Sequence, residues 1–211
     1  MAAPPRPEAT LNHVFLLTLL AGDPAAIPES GFEPWFVERE VAVSRTRVAG
    51  ETPWIRAVAE LPAPAHEVYA AITDYAAYRA FFDPAVTKAD VLDVSNEGAR
   101  IHFVWPYPFP FRRRDAIVEY RGERLAGGAF RVVWRDAVRD SDPREGVRIA
   151  RVAGETRIEP LGAARCRVTY TYLGDLGGSF PRVFEEKAWR HEPLGYVYAL
   201  RRRLGIPIPP K

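Results

Sequence analysis

One cysteine in 211 residues, Cys166, leaves no pair for an intramolecular disulfide and no cysteine-based zinc site. Histidine is also scarce. His13, His66, His102 and His191 stand far apart without HxH or HExxH spacing, so no metal and no other cofactor is expected. Lysine is rarer still, 3 against 26 arginines, yet the net charge is only +2, which gives no sign of a nucleic-acid partner. No serine sits in a GxSxG setting, and Gly174–Gly178 is too loose for a phosphate loop. The longest apolar run lies within Leu11–Gly22, short of the roughly 20 residues that span a bilayer. Its length suits the core of a signal peptide. If residues 1–26 act as one, the protein is exported or periplasmic; otherwise it is cytoplasmic.

What remains is ordinary globular composition, 47% apolar and 27% charged, in a chain long enough to bury about 70% of its unfolded surface. An N-terminal segment (1–30) and a proline-rich tail (206–211) flank one expected domain, 31–205, which shows no internal repeat. Its middle reads in period two: Ile101, Phe103 and Trp105; Ala116, Val118 and Tyr120; Phe130, Val132 and Trp134; Cys166, Val168, Tyr170 and Tyr172. Such alternation predicts antiparallel strands with one buried and one largely solvated face. Turn residues at Asn96–Gly98, Ala126–Gly128, Asp142–Arg144 and Leu161–Gly162 separate them. Trp35–Val48 and Trp54–Leu61 read as two further strands, for about seven to nine in all.

Helical signals break this pattern in three places. Pro64 opens a segment with Val68 and Ile72 four residues apart, and a short piece, Ala76–Phe82, ends at Asp83-Pro84. A long closing helix is expected from the Ser179 cap to Gly205, with Val183, Phe184, Ala188, Leu194, Tyr198 and Leu200 as its apolar face and a kink at Pro193. The fold class is therefore α+β: a curved antiparallel sheet whose apolar face the closing helix must cover.

In order along the chain, Val41–Gly50, Ala59–Pro64, Asp83–Val86, Pro108–Asp115, Val147-Arg148, Ile158–Pro160, Val168–Tyr170 and Asp175–Pro181 resemble the START lipid-transfer family. That family belongs to the helix-grip, Bet v 1-like superfamily, which also holds aromatic polyketide cyclases. The resemblance covers about Trp35 to Leu204 and implies a hydrophobic tunnel between sheet and closing helix that holds one lipid-like ligand, a sterol or fatty acyl chain included. It implies no catalytic residue. Phe103, Trp105, Tyr120, Phe130, Trp134, Tyr170, Tyr172, Phe184 and His191 are the expected tunnel lining, although rings of this kind also serve to fill a solid core. Phe103 and Tyr120 stand where sterol-carrying members hold a buried acid and arginine, which weakens the sterol expectation. Arg114 and Asp115 match an Arg-Asp pair expected to brace a strand or meet a headgroup.

Family geometry would make Arg121–Gly128, with Arg121, Gly127 and Gly128, a gate over the end of the helix. The basic residues Arg112–Arg114, Arg190 and Arg201–Arg203 are candidates for transient contact with an anionic membrane surface, and a monomer is expected. His102, on the strand face opposite the rings, reads as a surface histidine. The rival from another class is a cyclase or hydrolase on the same scaffold, using the tyrosines and His191 supported by Asp175 or Glu185.

Overall fold

A computed structural model describes residues 27–46, 52–82, 85–96, 98–107, 109–149, 151–177 and 182–210. The expected leader, Arg47 and Val48 at the end of the first expected strand, the Asp83-Pro84 stop, Glu97, Pro108, the Ser179 cap with its neighbours 178–181, and Lys211 lie outside the described residues.

Among the described residues ten strands form one sheet: β1 (Phe32–Glu38), β2 (Val41–Thr46), β3 (Ile55–Leu61), β4 (Lys88–Ser95), β5 (Gly98–Trp105), β6 (Arg114–Arg124), β7 (Phe130–Asp136), β8 (Val147–Arg148), β9 (Arg151–Gly162) and β10 (Arg165–Asp175). Their order is β1-β2-β3-β10-β9-β7-β6-β5-β4, antiparallel throughout, while the two-residue β8 runs parallel to the start of β6. Helix α1 (Ala65–Thr73), a 3-10 turn at Tyr75–Ala77 and the short α2 (Tyr78–Phe81) link β3 to β4. The closing helix α3 (Arg182–Arg203) lies across the inner face of the sheet, which curves around it in the helix-grip arrangement.

The expected single strand Trp35–Val48 is instead a hairpin. Arg39 and Glu40 adopt φ of +47° and +63° and turn β1 back onto β2. No glycine or asparagine announces this turn, because α3 holds it: Arg201 donates to Glu40 Oε2 at 3.1 Å, and the Arg39 guanidinium lies 5.7 Å from the Tyr198 ring centre. At its C-terminus α3 ends as Gly205 predicts. That residue takes φ +67°, Gly205 N–H donates to the Arg202 carbonyl and Ile206 N–H to the Arg201 carbonyl.

The apolar face of α3 differs from expectation at its start. Leu194, Tyr196, Val197, Ala199 and Leu200 are buried, whereas Val183 and Phe184 are 69% and 44% exposed. The sheet's outer face departs too. Along β5 both faces are buried from Gly98 to Val104, because the connection between β7 and β8 folds back over β5 and β6. His102 is therefore not a surface residue: it is fully buried, with Nε2 3.2 Å from Asp115 Oδ2. Asp115 Oδ2 also accepts the Glu145 N–H at 3.0 Å and lies 3.3 Å from Arg148.

Candidate functional site

Alternation turns Phe103 and Trp105 of β5, Val118 and Tyr120 of β6, Trp134 of β7 and Tyr170 and Tyr172 of β10 toward α3. Between them and the helix is a cavity of about 610 Å³, closed at one side by Ile72, Tyr78 and Phe82. Its volume falls within the range, roughly 300–1,000 Å³, of small-molecule sites. The helix contributes Ala188, Trp189, Glu192, Gly195, Tyr196 and Ala199 at turn-by-turn spacing. Lining residues that keep solvent exposure, among them Ala85, Pro106, His191, Gly195 and Arg202, mark a slit along the flank of α3.

The rings form a continuous wall. Trp134 stacks on Tyr170 at 5.3 Å between centres, Tyr170 on Tyr172 at 5.4 Å and on Tyr196 at 3.9 Å, while Phe103 stacks on Trp105 at 5.3 Å. Trp134 can lie flat because its partner on β9 is Gly154, where a Cβ would come within 2.3 Å of the indole and 2.4 Å of the Thr171 carbonyl oxygen.

Several hydroxyls around the wall are already engaged. Tyr78 donates to the Ile72 carbonyl at 2.6 Å, Tyr196 pairs with Thr156 at 2.9 Å, and Tyr172 donates to the Trp189 carbonyl at 3.1 Å. This last bond answers a gap in the helix. Pro193 has no N–H to offer the carbonyl four residues before it, and that carbonyl belongs to Trp189. Burial pushes the Tyr120, Tyr170, Tyr172 and Tyr196 phenols above their usual range, so all are neutral at physiological pH.

Among these groups sits a carboxyl that the sequence did not single out, Glu192. Tyr170 donates to its Oε1 at 2.6 Å. It lines the cavity at the slit, where it keeps solvent exposure like His191 and Gly195, and the surrounding protein desolvates it enough to raise its pKa to about 7 against the opposing effect of the Tyr170 bond. A helical stripe of Ala188, Glu192, Gly195, Tyr196 and Ala199 was the signal that could have placed it inward.

The remaining candidates fall as follows. Phe103, Trp105, Tyr120, Trp134, Tyr170, Tyr172 and His191 line the cavity; Phe130 and Phe184 do not. Phe130 stacks on Tyr69 of α1 at 4.5 Å, outside the lining, and Phe184 meets Phe111 at 5.1 Å in an exposed position. Arg114 donates to the Leu176 carbonyl at 2.9 Å and so fastens the chain leaving β10 to the start of β6. Asp115 is on the opposite face of β6, in the buried His102 cluster, and cannot meet a ligand in the cavity.

The expected gate is corrected: Arg121 is part of β6, paired with Val133, and only the Gly127-Gly128 turn lies outside a strand. That turn, at φ +68° and +77°, is at the far end of β6 from Arg114 and packs beside Pro160 of β9. The Asp175 carboxylate accepts the Gly177 N–H at 2.9 Å, a local turn contact. Among the described residues no group of three or more His, Cys, Asp or Glu is placed to hold a metal ion.

Comparison with known proteins agrees with this architecture. Residues 61–191 match the family model described as polyketide cyclase/dehydrase and lipid transport, and the chain belongs to that family. A STAR-related lipid transfer protein from Xanthomonas axonopodis superimposes with a TM-score of 0.73 at 26% identity, covering 83% of this chain and 99% of that one. The lipid transfer and protein localization domain of human StarD13 gives 0.70 at 20% identity, covering 82% and 88%. The Zhui aromatase/cyclase from Streptomyces gives 0.53 at 14% identity over 72% and 94%; these last two likenesses concern the fold. An uncharacterised protein of Pseudomonas aeruginosa is 26% identical over 119 residues, 54% of this chain and 57% of its own length, so the match spans little over half of that relative. The START-like helix-grip fold and the family support hydrophobic ligand binding on this scaffold.

Proposed function

We propose that the protein binds one lipid-like molecule in the cavity under α3 and carries it, without chemical change, between environments. The observation behind this reading is the 610 Å³ ring-walled space between sheet and helix. Gly195, where the slit meets the cavity, agrees with it. A Cβ there would meet nothing within 4 Å, although a glycine inside a helix costs about 1 kcal/mol relative to alanine. Loading from an anionic membrane surface is supported by the segment that follows the slit residue Pro106. It carries Phe109, 97% exposed, beside the exposed Arg112 and Arg113, and Val183 and Phe184 at the start of α3 are exposed as well.

Native mass spectrometry of the purified full chain, followed by organic extraction, tests the reading. One adduct per chain, released intact on denaturation, is expected. Gly195→Phe should exclude it while the unfolding midpoint holds or rises. Full occupancy in Gly195→Phe, or no uptake of any lipid or of Nile red by the wild type, would sink the proposal. A second reading, a cyclase acting on a polyketide-like chain, is favoured by one feature: a carboxyl titrating near neutrality inside the cavity. Under that reading His191→Ala or Glu192→Gln abolishes turnover of a supplied polyketide-like substrate. Under ours the extracted compound is the compound supplied.

A further inference from the structure

Glu192 is an unusual group to find in an apolar cavity. Phenols ring it: Tyr107 from the β5–β6 connection, Tyr120 from β6, Tyr170 and Tyr172 from β10, and Tyr196 from α3 itself. The basic side chains among the lining are His191 and Arg202, and neither pairs with it. Its one hydrogen-bond partner among the described residues is Tyr170. A carboxyl offers about four lone-pair positions, so a single donor leaves most of its accepting capacity open where the cavity meets the slit. The desolvation it does suffer disfavours its ionised form, and a ligand that brings a donor offsets that. A ligand that brings a second carboxylate meets like charge at a partly desolvated position.

Resting on the reading of this cavity as a ligand site, we infer that Glu192 makes it selective for apolar molecules ending in a hydroxyl, and against those ending in a carboxylate. The hydroxyl end docks at the Tyr170–Glu192 pair on α3, and the hydrocarbon lies along the wall of Phe103, Trp105 and Trp134. The selectivity depends on pH with a fixed sign. Above about 7 the carboxyl is ionised and repels an acid; below that value it is increasingly neutral and the repulsion fades. A fatty acid in water, titrating at about 4–5, stays ionised over most of this window.

The test displaces Nile red from the full chain with dodecan-1-ol or with dodecanoate, at about pH 8.5 and about pH 6, on either side of the Glu192 transition. At the higher pH the alcohol should bind at least roughly tenfold more tightly than the acid, and the gap should narrow at the lower pH. Glu192→Gln keeps the shape and the Tyr170 bond, and should abolish both the gap and its pH dependence. Equal affinities in the wild type overturn the inference and leave the cavity reading standing. So does a gap that persists unchanged in Glu192→Gln, because the discrimination then lies elsewhere. Should neither Nile red nor any chain compound bind the wild type, the cavity reading falls and takes the inference with it.

Discussion

The two faces of the sheet along β6, β7, β9 and β10 do opposite work. Inward, Tyr120, Trp134, Tyr170 and Tyr172 bury their rings around a space. Outward, the same strands carry a lattice of charge: Arg131 with Glu155 at 2.6 Å, Arg135 with Glu119 at 3.1 Å, and Arg157 with Glu155 at 2.9 Å. A broad groove of about 800 Å³ runs along this lattice, lined by arginines and glutamates that largely satisfy one another. The larger hollow is thus walled mainly by paired charges and the smaller one mainly by rings. What separates the two faces is what covers them: α3 excludes water from one, and water itself solvates the other. Where the outer face is covered, along β5 and the start of β6, its polar residues become a buried cluster that behaves as core.

The sharpest way to test this contrast is at that covered patch. Asp115→Ala removes the acceptor shared by His102, Arg148 and the Glu145 N–H, and should destabilise the fold by about 3–5 kcal/mol in urea unfolding. A loss under about 1 kcal/mol would mean that the covered patch behaves like the open surface. On the inner face, Gly154→Ala forces the Trp134 indole off the strand and toward the cavity. A loss of about 1–3 kcal/mol is expected, with weaker Nile red uptake as the second readout. At the open outer face, Arg167→Ala breaks an exposed pair with Glu60 and should cost at most about 1 kcal/mol, with ligand uptake unchanged.

Period-two patterning made the fold legible because it records which way a side chain points. It does not record what lies beyond, and the errors follow from that. His102 was read outward correctly and exposed wrongly, because the covering segment after β7 carries no pattern of its own. β9 escaped notice as a long strand: Glu155 and Thr156 are both buried in its middle, so polarity does not alternate there. The β1–β2 turn is held by Arg201 from more than a hundred residues away, a contact that local turn chemistry does not announce. Most of the ring wall was readable from the strands. Glu192 was not, since a glutamate on a long arginine-rich helix is usually solvated, and only the stripe of small residues around it betrays the cavity side.

The bond from Tyr172 to the Trp189 carbonyl has a consequence for how this protein can vary. Its acceptor is main chain, so every amino acid at position 189 would supply it. The positions that matter are 172, which must bring a hydroxyl, and 193, where an N–H would give that carbonyl a second donor within the helix. This tie between helix and sheet is therefore indifferent to the cavity-lining side chain that sits on its own acceptor residue. Position 189 can change size or polarity, and with it the guest, while this particular fastening stays in place.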